Sequence, residues 1–180
     1  LEQVPSQIGD PLLRTSEITD GAEVGNLLDI AWQPVIPGYD DKAILLVLDD
    51  RNQVFRYDPR VEGPSKLDLM GSESFGKLTQ IESFTGRLYM ADSGNGQLLR
   101  YPAGRYAEAP PDNWFAAPMS LDEMRSMRID GDVWMLMRDG RVMRFNSGEQ
   151  DAFSLDNNVG LMREPVDFVV GDGTNPFIYV

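Results

Sequence analysis

Apolar residues occur along this chain in short runs that are separated by polar turns. Three segments repeat one pattern, in which an apolar run, a turn rich in Asp, Asn and Gly, and a second apolar run follow one another: 45–59, 87–104 and 132–148. Short runs bounded by such turns are typical of β-strands. In the third segment, Asp139-Gly140 suits the positive φ angles of a tight hairpin turn. The pattern therefore predicts three antiparallel hairpins.

The second run of each segment ends in an arginine that is followed by an aromatic residue. These pairs recur 44 residues apart and are Arg56-Tyr57, Arg100-Tyr101 and Arg144-Phe145. A period in the forties is what a four-stranded propeller blade requires. We therefore expect an all-β fold, a β-propeller of four-stranded antiparallel blades, of which this chain forms a part.

A further apolar run precedes each hairpin, and a weaker one follows it. The preceding runs are predicted innermost strands, at 27–32, 78–84, 124–130 and 165–171. The following runs are predicted outer strands, at 65–70, 113–119 and 152–156, and an orphan outer strand is predicted at 11–19. The predicted organisation is an N-terminal segment with the orphan strand (1–24), three blades (25–73, 74–120 and 121–160) and a half blade (161–180).

The half blade contains two predicted strands, and the second of them covers 177–180. A strand at a sheet edge leaves backbone groups unpaired. We therefore expect a longer propeller of six or seven blades, whose ring is completed by further sequence or by another chain. A compact closure of four blades and an assembly of two half-propellers are the alternatives.

Composition narrows the range of functions. The chain has 16 basic and 29 acidic residues and a formal net charge of −13, which argues against binding to nucleic acid or to an anionic membrane surface. No apolar run approaches the length that a bilayer span needs. The chain contains neither cysteine nor histidine. A cysteine nucleophile, a thiolate metal site and a Ser-His-Asp triad are therefore excluded within it.

The segment LYMADSGNGQLLRY at 88–101 resembles an NHL-type blade, whose second and third strands commonly show an aliphatic-Tyr-Val-Ala-Asp run, a Gly/Asn turn, and an aliphatic residue with Arg. Residues 177–180 resemble the opening of the same motif, and the resemblance covers most of 25–180. It implies a propeller of six or seven blades. Such blades occur in extracytoplasmic sensor regions, in protein- and RNA-binding modules and in lactonase-like hydrolases. The resemblance thus favours an extracytoplasmic or secreted location, while fold alone does not choose the function.

The repeated arginines Arg56, Arg100 and Arg144 are predicted to share one strand face, with Tyr57, Tyr101 and Phe145 on the other. Neighbouring blades would cover both faces, and a buried arginine has to be paired. We expect an ion pair with a carboxylate of a neighbouring blade at each repeat. A ligand site is the weaker interpretation, because a binding site seldom repeats at every blade.

Four carboxylates fall on or just after the innermost strands: Asp29, Glu82, Asp130 and Asp167. In lactonase-like propellers, Glu, Asp and Asn side chains hold a divalent ion in the central channel, and such an ion activates water without histidine. These four residues are therefore the candidate metal ligands, with calcium as the candidate ion. Solvated carboxylates are the simpler interpretation. The turn residues Asp49, Asp50, Asp92, Asn95 and Asp139 also offer oxygen atoms, but none matches the spaced calcium loop.

Two tryptophans are candidate contacts for a partner. Trp32 ends an innermost strand before a Pro-rich loop, and Trp114 lies in an outer loop. Packing at the core or at an edge is the alternative for both. We expect a non-enzymatic module that binds a protein or peptide, as the sensor or scaffold part of a larger protein. A metal-dependent lactonase-like hydrolase and a structural subunit of a larger complex are the alternatives.

Overall fold

The structure is a computed structural model, and it describes residues 18, 20–39, 42–58, 63–153, 164–171 and 178–179. These residues form fourteen β-strands and one short 3₁₀ helix at Ser72–Ser74, and no α-helix occurs among them. Consequently, nothing in the described part of the chain forms a helix of the length and hydropathy needed to cross a bilayer.

Fourteen strands form four antiparallel sheets in which strand order follows chain order. Sheet 1 contains β1 (Leu27–Gln33), β2 (Ile44–Asp49), β3 (Val54–Tyr57) and β4 (Ser65–Lys66). Sheet 2 contains β5 (Leu78–Phe84), β6 (Arg87–Asp92), β7 (Gln97–Tyr101) and β8 (Asp112–Asn113). Sheet 3 contains β9 (Met124–Ile129), β10 (Val133–Met137), β11 (Val142–Asn146) and β12 (Glu149–Gln150). Sheet 4 contains β13 (Val169–Val170) and β14 (Ile178–Tyr179).

The prediction of four-stranded antiparallel sheets is confirmed for sheets 1 to 3, and the three hairpins lie where the pattern placed them. The outer strands are shorter than predicted, and that of sheet 3 is at Glu149–Gln150 instead of 152–156. Ser147 and Gly148 both have positive φ angles, of 51° and 85°, and so form a tight two-residue turn directly after β11. Residues 154–156 lie outside the described part of the chain, as does the predicted strand at 11–19 except for Ile18.

Apolar side chains cover both faces of the sheets and form one core cluster between each pair of consecutive sheets. The pairing registers define equivalent positions in the sheets. Residues at one such position, on or beside the innermost strand, are buried against the preceding sheet: Ile81, Met127 and Phe168. Residues at another position, on the second strand, are buried against the following sheet: Leu46, Tyr89 and Trp134. At each junction, a residue from the second strand of one sheet therefore belongs to the same core cluster as a residue on or beside the first strand of the next sheet.

A fully buried carboxylate fixes the hairpin turn of sheet 2. Asp92 ends β6 and is 0% exposed. It accepts hydrogen bonds from the backbone N–H groups of Gly76 and Lys77, both at 2.9 Å, and from the backbone and side-chain nitrogens of Asn95 at 3.1 and 2.8 Å. Burial opposes the ionisation of Asp92, but these hydrogen bonds outweigh it and lower the pKa of the carboxyl. Asp92 thus ties the segment ahead of β5 to the turn between β6 and β7.

Asp49 makes the same connection in sheet 1. It is also 0% exposed, and it accepts hydrogen bonds from Gly25 N at 2.8 Å and from both nitrogens of Gln53 at 2.8 and 2.9 Å. In sheet 2, the residue that approaches the carboxylate has to be glycine, because a Cβ atom on Gly76 would lie 2.7 Å from an oxygen of Asp92. Sheet 3 has the apolar Met137 at the end of its second strand instead.

We expect Asp92→Asn to lower the free energy of unfolding by roughly 2–3 kcal/mol at pH 7, because the amide places a donor against backbone N–H groups and leaves them unpaired. The loss should be measured by urea denaturation, with the exposed Asp122→Asn as a control that changes stability by less than about 0.5 kcal/mol. The folded-state pKa of Asp92 lies below its unfolded value, so the stability that the carboxylate contributes is lost as the pH falls through that folded pKa. If Asp92→Asn and the control Asp122→Asn had the same free energy of unfolding at pH 7, the structural role of Asp92 would be contradicted.

Candidate functional site

Two of the four predicted channel carboxylates form ion pairs with a single guanidinium group, that of Arg128 on β9, whose charge also acts on a third. Arg128 Nη2 lies 2.8 Å from both carboxylate oxygens of Asp167. Its Nη1 lies 3.8 Å from Glu82 Oε2, which is a looser ion pair. Asp29 on β1 is coupled electrostatically to Arg128 and to Asp167. The cluster therefore holds three carboxylates and one cation, and we call Asp29, Glu82, Arg128 and Asp167 the inner-strand cluster.

The inner-strand cluster also connects consecutive sheets. Asp29 Oδ2 accepts a hydrogen bond of 2.9 Å from Ile81 N, which joins β1 to β5. Asp167 accepts hydrogen bonds from Ser126 Oγ and from Arg128, which join the segment before β13 to β9. Between β5 and β9, the Gln80 side chain donates to the carbonyl oxygen of Arg125. A polar contact thus accompanies each of the three apolar junctions.

Burial raises the pKa of two carboxyl groups in this cluster, those of Asp29 and Glu82. Desolvation raises the pKa of Asp29, although the backbone N–H groups of Ile81 and Ile30 and the charge of Arg128 act in the opposite direction. Desolvation likewise raises the pKa of Glu82, against the hydrogen bond from Ser83 N and the charge of Arg128. A single guanidinium therefore does not offset the cost of burying both carboxylates.

Asp130, the fourth predicted ligand, does not join the other three. It lies in the turn between β9 and β10, where its Oδ1 accepts hydrogen bonds from Trp134 Nε1 at 2.9 Å and from Asp132 N at 3.1 Å. These bonds satisfy the indole N–H of a tryptophan that is only 8% exposed. The geometry therefore gives Asp130 a role in packing Trp134.

The inner-strand cluster contains its own cation, Arg128. Among the described residues, no group of three or more Asp, Glu, Cys or His side chains is arranged to hold a metal. Arg128 lies between Glu82 and Asp167 and already supplies their positive charge. The turn carboxylates Asp49 and Asp92 are likewise engaged by backbone N–H groups, which leaves few lone pairs for a cation.

Two of the three repeated arginines form ion pairs within their own sheets. Arg100 Nη2 lies 3.3 Å from Asp112 Oδ2 on the adjacent strand β8. Arg144 Nε donates to Asp132 Oδ2 at 2.7 Å, and its guanidinium carbon lies 5.2 Å from the centre of the Trp134 ring. The expectation of pairs between neighbouring sheets is therefore wrong for these two arginines, because a cross-strand partner about 5 Å away is closer than a sheet about 10 Å away. Arg56 occupies the same register position in sheet 1.

The aromatic residues that follow these arginines pack in the core of sheets 2 and 3. Tyr101 is 0% exposed, belongs to the cluster between sheets 1 and 2, and donates a hydrogen bond of 2.7 Å to the Met70 carbonyl. Phe145 is 3% exposed and lies 5.0 Å from the ring of Phe115. Tyr57, at the same position in sheet 1, is half-buried. The aromatic anchor therefore faces the preceding sheet.

The two candidate tryptophans have different environments. Trp32 is 59% exposed at the end of β1. Trp114 is half-buried, packs on the cluster between sheets 2 and 3, and lies 5.7 Å from Phe115, edge to face. Trp32 is thus the one of the two that presents an exposed ring.

A cleft of about 280 Å³ lies between the β1–β2 loop of sheet 1 and the loop that follows β7 in sheet 2. Its lining includes three polar side chains, two tyrosine rings and three aliphatic side chains: Gln33, Arg56, Asp68, Tyr39, Tyr106, Ile36, Ile44 and Leu67. The repeat does not indicate this site, because Tyr39 and Tyr106 lie on two irregular loops that the repeat does not align.

Hydrogen bonds hold the floor of the cleft in place. The Tyr106 hydroxyl lies 2.7 Å from both Gln33 Oε1 and the Gly86 carbonyl oxygen. Gln33 and Tyr106 are 1% and 6% exposed, so these polar groups are fixed before any ligand arrives. The exposed ring of Tyr39 lies at the entrance against Gly104, where a Cβ atom would come within 2.4 Å of the ring. Glycine at this position therefore permits the ring to pack over the loop.

The lining of the cleft combines polar, apolar and aromatic side chains. Arg56 and Asp68 place a guanidinium and a carboxylate in the lining, while Ile36 and Leu67 line the apolar wall. A peptide carries N–H donors, carbonyl acceptors and apolar side chains, and so matches this mixture better than a simple anion or cation would. Tyr39 adds a large surface that loses little side-chain entropy when it is covered.

No protein-family model matches the chain, and no curated protein matches it. A functional assignment therefore has to be argued from the chain's own residues.

We expect the stability of the wild-type protein relative to Glu82→Gln to fall as the pH is raised from about 4 towards neutrality. The pKa of Glu82 is higher in the folded protein than in the unfolded chain, so the folded protein binds the carboxyl proton more tightly. The stability that this proton contributes is lost as the pH rises through the folded-state pKa. Urea denaturation of both proteins across this pH range measures the difference, with Glu123→Gln as the exposed control. A difference that grows with pH would show that the charge of Arg128 outweighs burial.

Proposed function

We propose that this chain forms part of a β-propeller with NHL-type blades, and that it binds a protein or peptide without catalysing a reaction. The four sheets follow one another in chain order, and the innermost strands β1, β5 and β9 lie side by side. The arginine-aromatic anchors recur at the same register positions in sheets 1 to 3. Sheets that radiate from neighbouring inner strands are the arrangement that propeller blades adopt.

The observation that carries the binding function is the cleft beside Tyr39. It combines an exposed aromatic ring with two polar side chains, Gln33 and Tyr106, that a hydrogen bond between them holds in place at the junction of two sheets. Rigid scaffolds with functional loops commonly bind their partners in this way. In the proposed role, the chain is the sensor or scaffold portion of a larger extracytoplasmic protein, with a peptide segment of its partner in the cleft.

We expect peptides selected on this protein from a displayed random library to lose at least about tenfold in affinity on the Tyr39→Ala variant, because an aromatic anchor of this size often dominates a small interface. Isothermal titration calorimetry measures the change in Kd. Tyr179→Ala is the matched control, since Tyr179 is exposed to a similar degree, 55% against 58%, and lies on sheet 4.

A second variant changes the position of the Tyr39 ring in the cleft without removing the ring. Gly104→Ala keeps every side chain of the cleft but displaces Tyr39, and it should weaken the same peptides. If selected peptides bound both variants as tightly as the wild-type protein, the cleft would not be the binding site. If no peptide were selected at all, the binding function would lose its support.

A metal-dependent lactonase-like hydrolase is the second candidate, and the convergence of Asp29, Glu82 and Asp167 is the observation that favours it. A structural subunit of a larger complex is compatible with the same sheets. Since Arg128 already supplies a cation to these carboxylates, we expect about 1 mM calcium to leave the Tm unchanged. Differential scanning calorimetry with and without calcium tests this, with magnesium as the control ion. A rise in Tm that Glu82→Gln abolishes would instead favour the hydrolase.

A further inference from the structure

The turn between β6 and β7 contains the one Asn-Gly pair of this sequence, Asn95-Gly96. Asparagine is a thermolabile residue, and its side-chain amide is lost when the backbone nitrogen of the next residue attacks it. Glycine as the next residue leaves this attack unhindered, because it carries no side chain. Asn95 is also exposed to solvent. This turn therefore combines the sequence and the exposure that favour deamidation.

The fold requires both residues of this pair. Gly96 has a φ angle of 64°, and a Cβ atom on it would lie 2.6 Å from the Met119 carbonyl oxygen. The Met119 N–H in turn donates to the Gly96 carbonyl at 2.9 Å. Asn95 Nδ2 donates to Oδ2 of the buried Asp92 at 2.8 Å and to the Ser74 carbonyl at 3.1 Å. The structure thus keeps a chemically labile pair in place, because each of its residues satisfies a separate packing or hydrogen-bonding need.

We propose that Asn95-Gly96 is a site of spontaneous deamidation, which the native hydrogen bonds restrain and which destabilises the β6–β7 turn once it has occurred. In this reaction, the Gly96 backbone nitrogen loses its proton and forms a bond to Cγ of Asn95. The Cγ–Nδ2 bond breaks, and ammonia leaves with that proton. Water then opens the resulting succinimide ring at either of its carbonyl groups, which gives aspartate or isoaspartate. No group is oxidised or reduced.

The native turn restrains the reaction because it holds the groups that have to move. Departure of ammonia breaks both hydrogen bonds of Asn95 Nδ2. Closure of the ring also changes the backbone at Asn95, whose own N–H donates to Asp92 Oδ1 at 3.1 Å. The unfolded chain has none of these constraints. We therefore expect the unfolded chain to deamidate faster than the folded protein.

The product is unable to restore the lost hydrogen bonds. An ionised carboxylate only accepts hydrogen bonds, so it offers no donor to Asp92 or to the Ser74 carbonyl. Two carboxylates would face each other where Asn95 Nδ2 and Asp92 Oδ2 are now 2.8 Å apart. Their repulsion is strong because Asp92 is 0% exposed and water screens it little. Isoaspartate also lengthens the backbone of the turn by a methylene group.

The first test compares deamidation of the 180-residue protein at mildly alkaline pH in buffer and in a urea concentration that unfolds it. Mass spectrometry detects the replacement of NH2 by OH in the tryptic peptide 88–100, where Asn95 is the only asparagine. The peptide 106–125 is the control, because its asparagine, Asn113, precedes the bulky Trp114. In urea, Asn95 should react several-fold faster than Asn113. In buffer, Asn95 should react at least about tenfold more slowly than in urea, the factor that one net hydrogen bond supplies.

Two outcomes of this comparison would overturn the proposal. Equal rates of the two peptides in urea would show that Asn95-Gly96 is no preferred site. Equal rates of Asn95 in buffer and in urea would show that the native hydrogen bonds do not restrain it. Neither result bears on the propeller arrangement or on peptide binding at the cleft.

Asn95→Asp reproduces one product and tests its effect on stability. We expect the midpoint of urea unfolding at pH 7 to fall by at least about 0.5 M. The loss should shrink as the pH is lowered towards about 4, because a protonated carboxyl group can again donate to Asp92. Asn113→Asp, at an exposed position of β8, is the control and should leave the midpoint within about 0.2 M of the wild-type value.

Equal midpoints of Asn95→Asp and Asn113→Asp at pH 7 would contradict the proposed destabilisation. If Asn95→Asp did not fold, the same denaturation experiment on wild-type protein before and after deamidation in urea would measure the effect. The deamidated fraction should then unfold at a lower urea concentration than the unmodified fraction. An unchanged midpoint of the deamidated fraction would overturn the proposal.

Discussion

Each sheet in this chain is apolar on both faces, so each has to be covered twice. A two-stranded hairpin alone is marginally stable in water, and even a four-stranded sheet leaves its second face wet. The stacking of consecutive sheets solves this problem, because Ile81, Met127 and Phe168 fill one side of a junction while Leu46, Tyr89 and Trp134 fill the other. Burial of a side chain of this size contributes about 1.5–3 kcal/mol. The order of the sheets along the chain follows from this pairing, since each hairpin is covered by its neighbour in sequence.

The same stacking explains how a chain with a net charge of −13 accommodates buried carboxylates. At the hairpin turns of sheets 1 and 2, backbone N–H groups lie close enough to satisfy Asp49 and Asp92 completely. On the innermost strands the N–H groups are mostly used in the sheet ladders, so Asp29 and Glu82 depend on a few remaining donors and on the charge of Arg128. This difference in available donors accounts for the lowered pKa of Asp92 and the raised pKa of Glu82.

The sequence was sufficient to predict the hairpins and the first strands of sheets 1 to 3, because β5 at 78–84 and the turn at Asp139-Gly140 carry local signals that the 44-residue period reinforces. In sheet 4, β13 covers only Val169–Val170 of the predicted 165–171. Outer strands were predicted poorly, since β4, β8 and β12 are two residues long and their positions depend on turn geometry at residues such as Gly148. The partners of Arg100 and Arg144 were assigned to the wrong sheet, because spacing alone does not give the distance to a carboxylate. Three of the four inner-strand carboxylates do converge, but the role of Arg128 as their common cation required coordinates. The cleft was not predictable, since Tyr39 belongs to a loop with no counterpart in the repeat.

The position of the cleft follows from one departure from the repeat. Sheets 2 and 3 connect their first two strands by short turns at Thr85-Gly86 and Asp130-Gly131, whereas sheet 1 uses a long loop that contains Ile36 and Tyr39. This loop reaches the next sheet, where the Tyr106 hydroxyl, which also lies 2.7 Å from the Gly86 carbonyl oxygen, anchors the adjoining Gln33. The junction of sheets 1 and 2 therefore gains a distinct surface, because among sheets 1 to 3 the loop between the first two strands is long enough to form a wall only in sheet 1. Specific recognition in a repeat structure requires such an asymmetry, since identical junctions would offer identical weak sites.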